Sequence, residues 1–392
     1  MARFLFVVPD FAGHINPTIS VGAELSRRGH QVAWTGIPGL VNELLPDGCR
    51  FIPAAGGTED MASSLSYRFR GLRSAAALKF LWFEALLPLA RLMMEGVEAA
   101  AGEFRPDVMA VDQQALAGAV AARKRGLAWA TLATTSAEIV DPLAGWPLVQ
   151  AEIRRARVDL QLEAGLPASL AEEGDILFSP SLVVAFTVAA LVGPAMSFPS
   201  HYHFVGPSTV DRVETVDFPW SWLDARRPAV FVSLGSINFQ EGRRFLSVAA
   251  EALGSMPVQG IVVAPPGLVA DPPGNVVVLP RVPQLAVLRR VSAVVCHGGH
   301  NTVCESLALG LPLVLAPIQN DQPMVAAQVT RAGCGIQVSF ARAGVDEMRE
   351  AIDRALGDPD LRRATGEVRR AFGAAPGPAG AADHLAKLAS DT

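Results

Sequence analysis

The sequence predicts an α/β protein made of two doubly wound domains, each a parallel sheet covered by helices on both faces. Three observations carry this. Short runs of continuous apolar residues, rich in valine, recur along the chain, as strands buried on both faces require. Most are followed by a helix-compatible stretch, the βα alternation of parallel sheets. That alternation begins at Phe4, fades after Pro207 and restarts at Ala229. With 392 residues, 50% of them hydrophobic and 18% charged, the chain can build two or three sizeable cores.

Taken in order, Phe4–Val8 is the first strand. Residues 10–16 are expected to form a loop. Asn16 is then the N-cap and Pro17 the first residue of a helix that runs to Arg28 and stops at Gly29. Gln31–Ile37 is the next strand. Residues 58–103 are mostly helical in pattern, and Leu78–Met94 is dense in large apolar side chains, including Phe80, Phe83 and Leu87. Arg105–Asp112 is a strand ending on a carboxylate, followed by a helix to about Arg125 and a strand at Trp129–Thr134. Residues 141–175 are charged and helical. Leu182–Val192 and Tyr202–Pro207 supply the last strands of the first half.

Residues 208–228 are charged and proline-containing and read as a linker. Strands follow at 229–234, 258–264, 276–279, 293–296 and 313–316, with helices near 345–356, 358–372 and 376–392. The domains are therefore 1–207 and 229–375, with 376–392 as a closing helix.

Composition narrows the function. The net charge is −5 with no basic run, which argues against nucleic acid as a partner. Cys49, Cys296, Cys304 and Cys334 show no pairing pattern, and the first apolar run is too short for a signal peptide. A cytoplasmic protein is expected. Residues 176–200 carry no charge, but Pro180, Pro194 and Pro199 interrupt them, so strand and loops are expected there and no membrane insertion. His201 and His203 would share a strand face but lack a third ligand, so no metal site is expected. There is no G-x-G-x-x-G or Walker motif and no short-period repeat.

The segment from Arg281 to Gln322 carries the chemistry. Ala293–Cys296 is an apolar strand. Gly298 and Gly299 allow a tight bend and a close approach of ligand to backbone. His300, Asn301 and Thr302 stand where a helix opens that runs to about Leu309, and the unpaired N–H groups of such a helix start form an anion site. His297 can donate to the same anion. Glu305, one turn into the helix, can accept from ribose hydroxyls. Earlier, Gly235 and Ser236 follow a strand in a turn able to aim N–H groups at phosphate. In the first half, His14 and Asp112 both fall at the carboxyl ends of strands, where open α/β sheets bind ligands.

These residues resemble the signature of the family-one glycosyltransferases of the GT-B fold, the UDP- and macrolide-glycosyltransferases. That signature is W-x-P-Q, then H-x-G-x-N-[ST]-x-x-E, then D-Q. Pro283, Gln284, His297, Gly299, Asn301, Thr302, Glu305, Asp321 and Gln322 occupy its positions, and Arg281 stands where the tryptophan would be. Gly13-His14-Ile15-Asn16-Pro17 resembles the family's G-H-x-N-P, and Phe204–Pro207 its exit into the linker.

The resemblance implies two Rossmann-like domains facing each other across a cleft, with acceptor in the first and nucleotide-sugar in the second. It implies His14 as catalytic base and Asp112 as the group holding its second ring nitrogen. It assigns Arg281 and Val282 to the base, Glu305 to ribose, and Asp321 and Gln322 to sugar hydroxyls. Phe80, Phe83 and Leu87 would line the acceptor site. The expected activity is inverting, metal-independent transfer of a hexose from a UDP- or dTDP-sugar to a hydroxyl of an apolar small molecule, with no cofactor, by a monomer or homodimer. A nucleotide-sugar epimerase and a non-catalytic nucleotide-sugar-binding activator are the alternatives on the same fold.

Overall fold

A computed structural model describes residues 1–55, 74–140, 145–193, 198–208, 216–235 and 239–391. They form two compact units. The first comprises Met1–Thr187, Met196–Arg212 and Pro376–Thr392, and the second Val188–Ala195 and Val213–Ala375. The architecture is that of the GT-B fold.

The first unit holds a sheet of seven parallel strands: β1 (Arg3–Val7), β2 (Gln31–Gly36), β3 (Arg50–Pro53), β4 (Val108–Asp112), β5 (Ala128–Ala133), β6 (Val183–Ala185) and β7 (Tyr202–Phe204), in the order β3-β2-β1-β4-β5-β6-β7. The order turns back between β1 and β4, and there a doubly wound sheet opens a crevice at its carboxyl edge.

Side-chain alternation explains why these strands read as unbroken apolar runs. Phe4, Phe6, Val108 and Ala110 face one core, with Ile15, Ile19, Ala381 and Leu385. Leu5, Val7, Met109 and Val111 face the other, with Met93, Val97, Leu116 and Val120. Phe4 and Phe6 are fully buried, which is worth about 1.5–3 kcal/mol each. The Gly377–Ser390 helix belongs to the first unit, where it packs on the Ala12–Arg27 helix. Arg28 pairs with Asp383 at 2.5 Å and the Gly377 N–H donates to the Val205 carbonyl at 2.8 Å.

The second unit holds six parallel strands: β8 (Ala229–Ser233), β9 (Gln259–Val263), β10 (Val276–Leu279), β11 (Ala293–Cys296), β12 (Leu313–Leu315) and β13 (Gly335–Gln337), ordered β10-β9-β8-β11-β12-β13. Its crevice falls between β8 and β11. Val230, Val232 and Val295 face Phe245 and Leu246 on one side, while Phe231, Val294 and Leu313 face Val303 and Phe372 on the other.

Several elements depart from the sequence reading. The first helix begins at Ala12, not at Pro17. Phe11 is extended, its carbonyl accepts from the Ile15 N–H at 3.0 Å, and Pro17 lies inside the helix. Asn16-Pro17 looked like a helix start because proline suits a first turn, but the first turn is already closed ahead of it. Residues 182–192 are not one strand: β6 ends at Ala185, and Ala189–Val192 is a short helix packed on the Gln322–Arg331 and Pro359–Ala374 helices of the second unit. Among the described residues no helix is long and apolar enough to cross a membrane.

Candidate functional site

At the β1/β4 crevice, His14 stands in the first turn of the Ala12–Arg27 helix and Asp112 is the last residue of β4. His14 Nδ1 lies 2.9 Å from Asp112 Oδ1 and 3.0 Å from Oδ2. Asp112 is fully buried, and the His14 side chain is 15% exposed. A buried carboxylate is tolerable only when its oxygens are bonded. Asp112 Oδ1 also accepts the Gln114 N–H at 2.8 Å, and Oδ2 accepts the Thr134 hydroxyl at 2.6 Å. Thr134 Oγ1 is also 2.8 Å from His14 Nδ1. The sequence reading missed Thr134, although the polar run Thr134-Thr135-Ser136 directly after an apolar strand is a signal for such an edge position.

The three aromatic and aliphatic residues expected to line an acceptor site divide. Leu87 is 1% exposed within the core of the first unit and cannot form an open wall. It starts the Leu87–Phe104 helix, and a π-helical turn, Leu81–Leu86, precedes it. Phe80 and Phe83 are only partly buried. Phe83 packs against the edge of the same core.

The second crevice lies between the ends of β8 and β11. Gly235 follows β8 with φ +72°, and Gly298 follows β11 with φ +86°, conformations that disfavour any side chain. Ser236 lies outside the described residues. His297, between them, is wedged against two glycines. A Cβ on Gly235 would sit 3.0 Å from His297 Nε2, and one on Gly299 would sit 2.5 Å from it. Burial holds the His297 imidazole below its ordinary pKa, offset in part by the Asp321 charge and a hydrogen bond to the Ser233 backbone. Its Nδ1 has no protein partner among the described residues.

Gly299 is the extended N-cap of the His300–Ala308 helix. His300 is buried, its Nε2 3.4 Å from Cys304 Sγ, so this residue presents backbone rather than side chain to the crevice. Asn301 and Thr302 are partly exposed in the first turn. Gln284 Nε2 donates to Glu305 Oε2 at 2.7 Å and to Thr302 Oγ1 at 3.4 Å, so the Pro283-Gln284 corner and the helix meet at one carboxylate. Arg281 is exposed beside the partly buried Val282.

Asp321 ends the loop after β12, following Asn320 at φ +57°. Gln322 turns inward: its Oε1 accepts the N–H groups of Ile318 at 2.8 Å and Gln319 at 3.0 Å, which braces that loop. The second unit thus gathers a helix N-terminus, an imidazole, a carboxylate–amide pair and an acidic loop around one edge. Together these suit a phosphate, a ribose and a polyol. Among the described residues no cluster of three or more His, Cys, Asp or Glu side chains is arranged to hold a metal ion.

Residues 260–388 match the family described as Erythromycin biosynthesis protein CIII-like, C-terminal domain. Along nearly its whole length the chain is similar to the NDP-glycosyltransferase YjiC of Bacillus licheniformis, 27% identical over 97% of this chain and 96% of the relative. It is 26% identical to the 4'-demethylrebeccamycin synthase of Lentzea aerocolonigenes, over 95% of this chain and 96% of the relative. To the demethyllactenocin mycarosyltransferase of Streptomyces fradiae it is 28% identical, over 100% of this chain and 87% of the relative. Among solved structures, the calicheamicin glycosyltransferase CalG4 superposes with a TM-score of 0.80 at 22% identity, covering 100% of this chain and 98% of that one. The glycosyltransferase VinC, in complex with dTDP, does so with a TM-score of 0.76 at 19% identity and full coverage of both chains.

Proposed function

We propose that this glycosyltransferase of the GT-B fold is of the family-one natural-product type and transfers a hexose from a UDP- or dTDP-sugar to a hydroxyl of an apolar small molecule, with inversion and without a metal. The observation that carries this reading is the contact between His14 and the buried Asp112. An alcohol is a poor nucleophile and needs a base that changes charge near neutral pH, which imidazole does. With Nδ1–H donated to Asp112, Nε2 keeps its lone pair for the acceptor proton. As the acceptor oxygen attacks the anomeric carbon, the C–O bond to the diphosphate breaks. The proton passes to His14, and the Asp112 carboxylate stabilises the resulting cation.

The leaving diphosphate gathers negative charge. The N–H groups at the start of the His300–Ala308 helix, the Thr302 hydroxyl and His297 are the donors that would stabilise it. Glu305, already held by Gln284, takes the ribose, and the exposed guanidinium of Arg281 stacks on the base beside Val282. Asp321, with the amide nitrogen of Gln322, takes sugar hydroxyls. Attack from the face opposite the diphosphate gives a β-glycoside from an α-linked donor. The activities of the relatives, demethyllactenocin mycarosyl transfer and 4'-demethylrebeccamycin synthesis among them, favour a natural-product acceptor.

The test is a calorimetric titration with UDP, dTDP and GDP, with and without magnesium, followed by an acceptor assay with the sugar of whichever nucleotide binds. Binding of UDP or dTDP without metal, and a β-linked product, are expected. No nucleotide binding, or binding only with magnesium, would overturn the donor assignment.

A further inference from the structure

The dyad at the first crevice is a three-membered ring. Thr134 stands directly after β5, the strand next to β4, and is 2% exposed. Its Oγ1 lies within hydrogen-bond distance of both Asp112 Oδ2, at 2.6 Å, and His14 Nδ1, at 2.8 Å. The protons can be counted. A hydroxyl has one hydrogen and two lone pairs, and an ionised carboxylate has no hydrogen. The Thr134 hydrogen goes to Oδ2, 2.6 Å away, because an ionised carboxylate oxygen can only accept. The Thr134 lone pairs then face Nδ1. Three oxygens, Oδ1, Oδ2 and Oγ1, converge on this one nitrogen, and a bare Nδ1 lone pair among them would be repelled by all three. The arrangement requires a proton on Nδ1, and so, while the ring is neutral, leaves Nε2 free to act as base.

We propose that Thr134 is a positioning residue of the transfer reaction. It fixes the Asp112 carboxylate by donating to one oxygen, and it accepts part of the Nδ1–H bond, so that His14 is held in one tautomer and one ring orientation. The transfer role rests on the glycosyltransferase mechanism proposed above, but the tautomer lock does not. It is a property of the free protein and can be measured without substrate.

The experiment pairs nitrogen-15 NMR of labelled histidine in the free protein with steady-state kinetics, for the wild type, Thr134→Ser and Thr134→Val. The wild type and Thr134→Ser should show His14 with the proton on Nδ1. Thr134→Val should show a mixed tautomer or a displaced titration, with kcat lower by about tenfold or more and KM within about threefold. Thr134→Ser should recover kcat to within about threefold, because the hydroxyl matters and the methyl does not.

In an Asp112→Asn background, Thr134→Val should cost much less than it does alone, as members of one hydrogen-bonded unit do. If Thr134→Val fails to fold, Thr134→Ser compared with Thr134→Ala makes the same distinction. A wild-type tautomer and titration in Thr134→Val would overturn the proposal, as would equal losses in Thr134→Ser and Thr134→Val. If no donor or acceptor turns over, the transfer mechanism fails, and the NMR arm still decides the role of Thr134.

Discussion

The imidazole of His297 occupies the space a side chain on Gly299 would need: a Cβ there would lie 2.5 Å from Nε2. Glycine at this position is therefore a steric requirement of the histidine, and not only of the turn. The same ring lies against Gly235 across the β8/β11 crevice, so one imidazole ties together the two strand ends where the diphosphate is expected. Gly299→Ala should displace the ring. We expect nucleotide affinity to fall by about tenfold or more, with about 1–3 kcal/mol of stability lost to overpacking. Titration calorimetry and thermal unfolding read the two effects, and an unchanged nucleotide affinity would contradict the assignment.

His14→Ala removes the proposed base but lies in the other unit from the nucleotide residues. Turnover should fall by about 10²–10⁴-fold while nucleotide affinity stays within a fewfold. Retained turnover with any acceptor would move the base elsewhere. Asp112→Asn should behave similarly in kcat, because an amide can hold the ring but cannot stabilise its cation.

Acid should weaken the folded chain through its histidines. His30, His203, His297 and His384 are all held below the ordinary histidine pKa, in each case chiefly by burial. Lowered folded values mean that the unfolded chain binds protons first. The stability this represents is complete above the unfolded value of about 6.5 and is lost as pH falls through the lowered folded values. The melting temperature should be level near neutrality and decline below about pH 6.5. The ring centroids of His203 and His384 lie 3.6 Å apart, so the charge on one opposes protonation of the other. His384→Gln should therefore make the decline shallower, and an identical pH profile in that variant would exclude the pair as a contributor.

Thiol reactivity should follow burial. Cys296 is pushed up to about 12 and Cys334 to about 11, and Cys304 is 1% exposed. Cys49, though raised by burial as well, is the only one of the four that is partly exposed. A thiol reagent at mildly alkaline pH should modify Cys49 first and the other three only after denaturation. Rapid labelling of Cys296 or Cys304 in the native protein would show that the β11–helix junction opens far more than its packing allows.

Much of this protein is written locally. The apolar runs specify buried parallel strands because both sheet faces are covered, and the spacing from His297 through Glu305 specifies a strand, a glycine turn and one turn of helix. Those are properties of neighbouring residues, so the sequence alone determined the fold class and the strand–turn–helix geometry of the second crevice. It misjudged the first helix start, because Asn16-Pro17 has the local chemistry of a cap whether or not a turn precedes it. It could not tell that Leu87 faces a core, since an apolar helix face reads the same against a core as against a ligand. Nor could it show that Gln322 braces its own loop. That Thr134 closes the expected His14–Asp112 pair into a ring was also a matter for the tertiary structure. These residues lie up to 120 positions apart in the chain, and only the side-by-side order of β1, β4 and β5 delivers their carboxyl ends to one place. Sequence sets which side chains each strand end carries; the sheet order sets which of those ends are neighbours, and hydrogen bonds of under 3 Å depend on that second fact.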